Sequence, residues 1–167
     1  MRIASAVILS AALAGCATKT YTPSEYRDEV RNYKGMFSGL IVYETVDVPR
    51  PYQQLSDTVR RKSKECLDAT VESSGMVKQG MYWVRETSRV TYKPILTVDK
   101  SKTELTVQGE GSGQPGNPIY ALDLEPGAKN TTRVTYYRGK MGPSNTIHTS
   151  VEGWLKGTAT TCPNWNG

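Results

Sequence analysis

The sequence has little of what most metal centres and membrane spans require. Its 167 residues include one histidine, three cysteines and one phenylalanine, which excludes the usual zinc frameworks of four Cys or His ligands. The longest uncharged N-terminal run, residues 3–15, is shorter than the roughly 20 apolar residues that span a bilayer. With 37% hydrophobic and 22% charged residues, the composition fits neither a multi-span membrane protein nor a disordered chain.

The charge is equally unremarkable in distribution. Lys and Arg outnumber Asp and Glu by 21 to 16, a formal net charge of +5 without a basic tail of the kind that binds nucleic acid. A chain of this length is typical of one domain.

The N-terminus has the pattern of an export signal. Arg2 precedes the uncharged run 3–15, and small residues close it. The segment Leu13-Ala14-Gly15-Cys16 resembles the lipobox of bacterial lipoproteins. The resemblance implies cleavage before Cys16, acylation of its thiol and a stable acyl anchor. An ordinary secretory signal that contains a cysteine, or a cytoplasmic protein with an apolar start, is the alternative.

The same resemblance sets the expected location and the domain limits. In the Gram-negative sorting pattern, a residue other than Asp after the acylated cysteine favours the outer membrane, and Ala17 is such a residue. We therefore expect a signal peptide over 1–15, a tether over 16–22 and a single α+β domain over 23–167, anchored to the outer membrane and facing the periplasm.

Two cysteines remain beside the lipid carrier. In an oxidising compartment, Cys66 and Cys162 are expected to form a disulfide. Cys66 shares a helical stripe with Tyr52, Leu55 and Val59, so it projects toward the core, where a bond to a strand could reach it. Two unrelated buried thiols are the alternative.

The remaining pattern predicts two helices followed by a sheet. A hydroxyl cap at Thr22 and a proline at position 23 start a short helix that ends near Lys34. Residues 36–48 alternate as a strand that Pro49 ends, and residues 51–74 form the principal helix, terminated by Gly75.

After residue 75, the segments read as antiparallel strands. Tyr, Trp, Val and Thr dominate residues 81–98, where Pro94 indicates a break or an edge. Residues 99–102 and 126–130 are hairpin turns, and a last strand is predicted over 146–160. The adjacent Tyr136 and Tyr137 point to opposite faces, so at least one is expected to be exposed. The predicted class is α+β, a mostly antiparallel sheet of five to seven strands packed by one long helix.

This order of strand, helix and meander is similar to the helix-grip arrangement of START-like domains. The long C-terminal helix of that family is not predicted here, so the resemblance implies no cavity and no ligand. The mature chain is also similar to small proteobacterial outer-membrane lipoproteins with a Cys-Pro pair near the C-terminus, which implies no particular activity.

Few residues suggest chemistry. Residues 109–116 contain a Gly-x-Gly-x-Gly pattern, but two prolines and a strand follow where a phosphate site needs a helix, so a hairpin loop is expected. His148 could act with Ser144 or Ser150 in a hydrolase, but no nucleophile-elbow motif is present.

One cluster of cations could bind a partner. The basic run on the principal helix could contact anionic headgroups, cell-wall carboxylates or an acidic protein, and a solvated helix face is the alternative. Its members are Arg60, Arg61, Lys62 and Lys64.

The predicted function is a non-enzymatic accessory or binding domain. The expected partners are the membrane, through the acyl anchor, and an envelope protein or cell-wall component, with no nucleic acid, cofactor or metal. An inhibitor or immunity protein against a periplasmic toxin or hydrolase is the second hypothesis, and an envelope hydrolase using His148 is the third.

Overall fold

The computed structural model describes residues 19–111 and 116–165. Its helices are α1 (Pro23–Asn32), α2 (Tyr52–Cys66) and α3 (Gly142–Lys156), with a 3₁₀ turn at Ser38–Leu40. Its strands are β1 (Ile41–Val48), β2 (Ala69–Gln79), β3 (Tyr82–Val98), β4 (Thr103–Gly111), β5 (Asn117–Pro126) and β6 (Thr132–Gly139). The predicted α+β class, with a mostly antiparallel sheet, is confirmed.

The six strands form one antiparallel sheet in the order β1-β6-β5-β4-β3-β2. Strands β2 to β6 follow each other as a meander, whereas β1 joins β6 at the far edge, so the chain from β1 to β2 must cross the sheet. Helix α2 makes that crossing over one face, and α3 lies on the same face. Between these helices and the sheet is the main hydrophobic core, which includes Leu55, Val107, Leu122 and Leu155.

Helix α1 covers the opposite face. Its cap is the one predicted: Thr22 Oγ1 accepts from Glu25 N at 3.3 Å, and Thr22 N donates to the Glu25 carboxylate at 2.8 Å. Val30 packs with Ala121 and Tyr137 of the sheet. Because α1 covers this face while α2 and α3 cover the other, Tyr136 and Tyr137 are both buried, and the expectation that one is exposed is wrong.

The predicted helix over 51–74 is wrong in its second half. Helix α2 ends at Cys66, and residues 69–79 are strand β2, so Gly75 lies within a strand. Thr70, assigned to the helical stripe, sits instead on a strand, where its hydroxyl pairs with that of Thr91 at 3.1 Å. The long-range pairing of β2 with β3 decides this segment, and a local periodicity cannot register such pairing.

The predicted last strand over 146–160 is also wrong, because residues 142–156 form helix α3. Ile147, Val151 and Leu155 recur every four residues and are fully buried, which is a helical period. Gly157 ends the helix in the left-handed conformation, with φ of 72°. The C-terminal helix that was missing from the comparison with the helix-grip arrangement is therefore present.

The other boundaries are close to those expected. The first predicted helix ends two residues earlier, at Asn32, and the strand predicted from Met36 starts at Ile41 after the 3₁₀ turn. Both predicted hairpins are confirmed as β3–β4 and β5–β6. Pro94 is tolerated because β2 pairs with β3 only as far as Tyr92, which leaves this stretch of β3 at the edge.

A buried ion pair fixes α1 to the sheet. Arg27 Nε donates to Asp123 Oδ1 at 2.8 Å, and both side chains are more than nine-tenths buried. The same guanidinium donates to Thr106 Oγ1 at 2.9 Å, and Tyr137 Oη donates to the second Asp123 oxygen at 3.3 Å. Lys102 Nζ lies 3.3 Å from that oxygen. The hydrogen-bonding groups of both charged residues are thus occupied, which is what makes burial of the pair tolerable.

We predict that Arg27→Met destabilises the protein by about 3 kcal/mol, because Asp123 then keeps its charge in a buried site with only Lys102 beside it. Urea unfolding followed by circular dichroism measures the change. The matched control is Arg31→Met on the same helix, whose exposed pair with Asp28 is expected to contribute under about 1 kcal/mol. Equal effects of the two substitutions would contradict this account of the pair.

Candidate functional site

The structure pairs Cys66 with Cys162 in a disulfide, with their Cα atoms 4.9 Å apart and 96 residues between them in sequence. Cys66 lies at the end of α2, on its core side as predicted. The chain-entropy model gives roughly 4–5 kcal/mol for closing a loop of this length. The bond holds the C-terminal segment against the sheet, where Trp165 stacks on Tyr92 with ring centroids 4.4 Å apart. Cys16 lies outside the described residues.

The four cations of the α2 cluster lie on the outer side of that helix. Arg60 pairs with Asp57 at 2.9 Å, Lys62 with Glu65 at 2.9 Å, and Arg61 with Glu65 at 3.9 Å. Pairs of this kind contribute at most about 1 kcal/mol each and break readily. Binding by Arg60, Arg61, Lys62 and Lys64 stays a prediction.

The glycine-rich segment connects β4 to β5. Gly109 and Gly111 belong to β4, and residues 112–115 lie outside the described part of the chain. Strands β4 and β5 are antiparallel neighbours, so the segment is a hairpin connection, as expected.

His148 lies on α3 and not on a strand, which changes its neighbours. Residues two apart on a helix do not face each other, so Ser150 points away from it. Ser144 Oγ accepts a hydrogen bond from Gly139 N at 3.0 Å. The imidazole instead packs edge-on against Tyr136, with centroids 4.8 Å apart, and its Nε2 lies 3.8 Å from the Glu152 carboxylate.

Burial dominates the electrostatics of His148, which is only 8% exposed. Desolvation, helped by the positive charge of Arg138, lowers its pKa to about 4, although Glu152 acts in the opposite direction. Lys156 lies beside Glu152 and lowers the pKa of that carboxyl. The pair at the surface of α3 is therefore Lys156 with Glu152, and the imidazole beneath it is neutral at pH 7.

Three buried polar atoms without a hydrogen-bond partner lie beneath α3. Among the described residues, these atoms are Tyr120 Oη, Arg138 Nε and His148 Nδ1. Tyr120 and Arg138 face each other across β5 and β6, and the Tyr120 and His148 rings are 6.3 Å apart. Unpaired buried polar atoms are costly, so a cluster of them indicates a place where a water or a ligand group could bind.

A groove of about 290 Å³ opens beside this cluster, between β1 and α3. His148 and Tyr136 form its floor, and its rim carries the carboxylates of Glu44, Asp47 and Glu152. Lys156 neutralises Glu152 at 2.6 Å, and Arg133 lies 3.9 Å from Asp47. We call this the β1–α3 groove. Its rim is acidic on a chain that is basic overall.

Sequence analysis missed this groove because it placed His148 on a strand. The signal was available in the spacing of His148 and Glu152, four residues apart, within a segment whose apolar residues have the same period. In residues 19–111 and 116–165, no group of three His, Cys, Asp or Glu side chains is arranged to hold a metal ion. None of the helices in these ranges combines the length and apolar character that crossing a bilayer requires.

Comparisons with known proteins find likeness in structure alone. No protein-family model matches the chain, and no curated protein is significantly similar to it. Among solved structures, DynU16, a protein of the dynemicin biosynthetic locus, matches with 17% identity and a TM-score of 0.33. The match covers 70% of this chain, which spans 44% of the length of DynU16. The protein TTHA0849 from Thermus thermophilus matches with 12% identity and a TM-score of 0.26, over 71% of this chain and 88% of its own.

We predict that protonation of His148 destabilises the fold at low pH. Its pKa is lowered in the folded state, so the unfolded chain binds the proton more tightly. Stability from the neutral imidazole is complete above pH 6.5 and is lost as the pH falls toward 4. Between pH 7.5 and 4.5 the wild type should lose on the order of 2 kcal/mol more than His148→Gln.

Urea unfolding of both proteins at the two pH values measures this difference. The comparison cancels the other groups that titrate in this range, since the variant retains them all. Parallel losses in the two proteins would show that His148 is not buried in its neutral form.

Proposed function

We propose that this chain is a lipid-anchored lipoprotein of the outer membrane, facing the periplasm, and that it acts as a non-enzymatic accessory or binding domain of the cell envelope. The observation that carries the proposal is the sequence Leu13-Ala14-Gly15-Cys16 directly after an uncharged run of export-signal length. The small residues leave room for a peptidase at the cleavage point, and the thiol can accept the lipid.

The pairing of Cys66 with Cys162 supports this location. Stable disulfides are typical of the periplasm and of secreted proteins, and they are rare in the reducing cytosol. The chain has no third cysteine apart from Cys16, so no thiol would be left unpaired after lipidation.

The β1–α3 groove is the proposed contact site for a partner. It combines an acidic rim with an apolar and aromatic floor of Val46, Val48 and Tyr136, a composition that fits a partner presenting an amino or guanidinium group on an apolar stem. An envelope protein or a cell-wall component with exposed amines has this chemistry.

We predict that labelled palmitate is incorporated into the wild type in growing Gram-negative cells and is not incorporated into Cys16→Ser, because only the thiol forms the thioether. Immunoprecipitation followed by autoradiography measures incorporation. Cys162→Ser is the matched control and should label normally. Equal labelling of the wild type and Cys16→Ser would refute the anchor.

We predict that a benzophenone amino acid in place of Glu44, at the rim of the groove, crosslinks to an envelope component in intact cells. The same photoreactive residue in place of Asp28, an exposed carboxylate of α1 on the other face of the sheet, is the control and should give no such product. Crosslinked bands are detected by immunoblotting and identified by mass spectrometry. The same products from both positions, or none from Glu44, would exclude the groove as the contact site.

A further inference from the structure

Strands β2 and β3 extend well beyond the rest of the sheet. Within the described residues, β4 pairs with β3 only from Val90 onward, whereas β2 and β3 continue to pair as far as Gln79 and Tyr82. Residues 72–89 therefore form a two-stranded ribbon, which we call the arm. Gly80, with φ of 62°, occupies the first position of its two-residue turn.

The arm is almost entirely exposed. From residue 72 to residue 89, only the facing Val77 and Val84 are half-buried, apart from the turn itself. Cross-strand contacts such as Ser73 with Ser88, at 2.8 Å, and the Arg89–Glu72 ion pair hold the strands together. A lone two-stranded ribbon is marginally stable in water, so an arm of this length is suited to a surface that supports it.

The end of the arm is apolar, aromatic and basic. Met81, Tyr82 and Trp83 are 88%, 74% and 63% exposed. Lys78 lies opposite Trp83, and Arg85 lies opposite Met76, so two cations and two apolar side chains share one face. No Asp or Glu occurs from residue 76 to residue 85. Trp and Tyr prefer the interface of a bilayer, and Lys and Arg are attracted to anionic headgroups.

The arm and the tether leave the domain at the same end of the sheet. Tyr21 N donates to Asn117 Oδ1 at 3.1 Å, which places the tether at the start of β5. Asn117 pairs with Gly109, and Gly109 pairs with Tyr92. From Tyr92 toward Met81, the arm continues in the direction in which β4 ends.

They also share a face of the sheet. The strand alternation puts Trp83 and Arg85 on the same side as Ile95, whose partner Thr106 is bonded to Arg27 of α1. Helix α1 follows the tether directly, so the basic and aromatic face of the arm is turned to the tether's side of the domain.

Length relates the two segments to the leaflet. Five residues separate Cys16 from Tyr21 and reach at most about 18 Å. The eleven residues from Tyr92 to Met81 reach about 36 Å beyond the same level of the sheet. A domain held this close to a leaflet cannot extend its arm straight toward it, so the arm must incline, which brings its tip to the headgroups.

A second exposed apolar patch lies at this end of the sheet, where β1 begins and β6 ends. It consists of Met36, Phe37, Leu40 and Met141, which are 42% to 92% exposed. Lys140 N donates to Leu40 O at 2.8 Å and joins the two loops that carry the patch. Apolar exposure is thus concentrated at the end where the tether attaches.

We propose that the tip of the arm is a membrane-binding site that inserts Trp83 and Met81 into the interface of a leaflet containing anionic lipid, with Lys78 and Arg85 at the phosphates. The inference rests on the proposed lipid anchor, which fixes the end of the domain that faces the leaflet. It assigns the anchored domain a second attachment point and hence a defined orientation.

The test uses the full processed protein, purified from membranes and reconstituted into vesicles of phosphatidylethanolamine and phosphatidylglycerol with brominated acyl chains. Trp154 is 2% exposed and Trp165 is stacked on Tyr92, so Trp83 is the tryptophan that lipid can reach. We expect bromine to lower the Trp83 emission, measured as the difference between the wild type and Trp83→Phe, by about two-fold or more.

Charge reversal identifies the site. Lys78→Glu with Arg85→Glu should abolish the quenching, since each cation near an anionic surface contributes about 1 kcal/mol, or about five-fold in binding. The matched control is Lys100→Glu with Lys129→Glu, in exposed turns at the opposite end of the sheet, and it should quench as the wild type does. Unchanged emission of Trp154 and Trp165 shows that each variant is folded.

Flotation of the vesicles separates this proposal from that of the anchor. Protein that does not float with the vesicles contradicts the anchor, whereas protein that floats with Trp83 unquenched overturns the arm proposal alone. Equal quenching in both charge variants overturns it as well. A Trp83 blue shift that appears without vesicles and grows with protein concentration would assign the arm to a second copy of this chain.

Discussion

The buried ion pair between Arg27 and Asp123 decides how the N-terminal part of this protein is attached to the rest. Strand β5 lies near the middle of the sheet, so a charged residue on it is covered unless the face is open to water. Asp123 is stable there because α1 brings a guanidinium to it, 2.8 Å away, and because Tyr137 donates to its second oxygen. The pair therefore fixes α1 across the outer face, and with α1 it fixes the point at which the tether leaves.

That constraint gives the two faces of the sheet different roles. The outer face carries α1, the tether and the basic side of the arm. The inner face carries α2, α3, the disulfide and the β1–α3 groove. If the outer face and the arm contact a leaflet, the groove is on the other side of the sheet and stays accessible to a partner in the periplasm. The proposed anchor, arm and groove are thus compatible in one orientation.

The two errors of sequence analysis have a common cause. Residues 69–74 continue the helical stripe of α2, but they pair with β3, and residues 146–156 are rich in β-branched side chains, but they form α3. In both segments the local pattern is compatible with either structure. The choice is made by contacts with residues that are distant in sequence, such as Val71 with Val90, and by the apolar surface that α3 must bury.

The sequence by itself determined the elements that depend on neighbouring residues. The Thr22 cap, the hairpin turns, the end of β1 at Pro49 and the core-facing position of Cys66 all follow from spacing or from one residue's conformational limits. Only the tertiary structure decided the site. It showed that His148 faces Tyr136, that both faces of the sheet are covered, and that the arm and the tether share one end, because strand order and register are set by long-range pairing and burial.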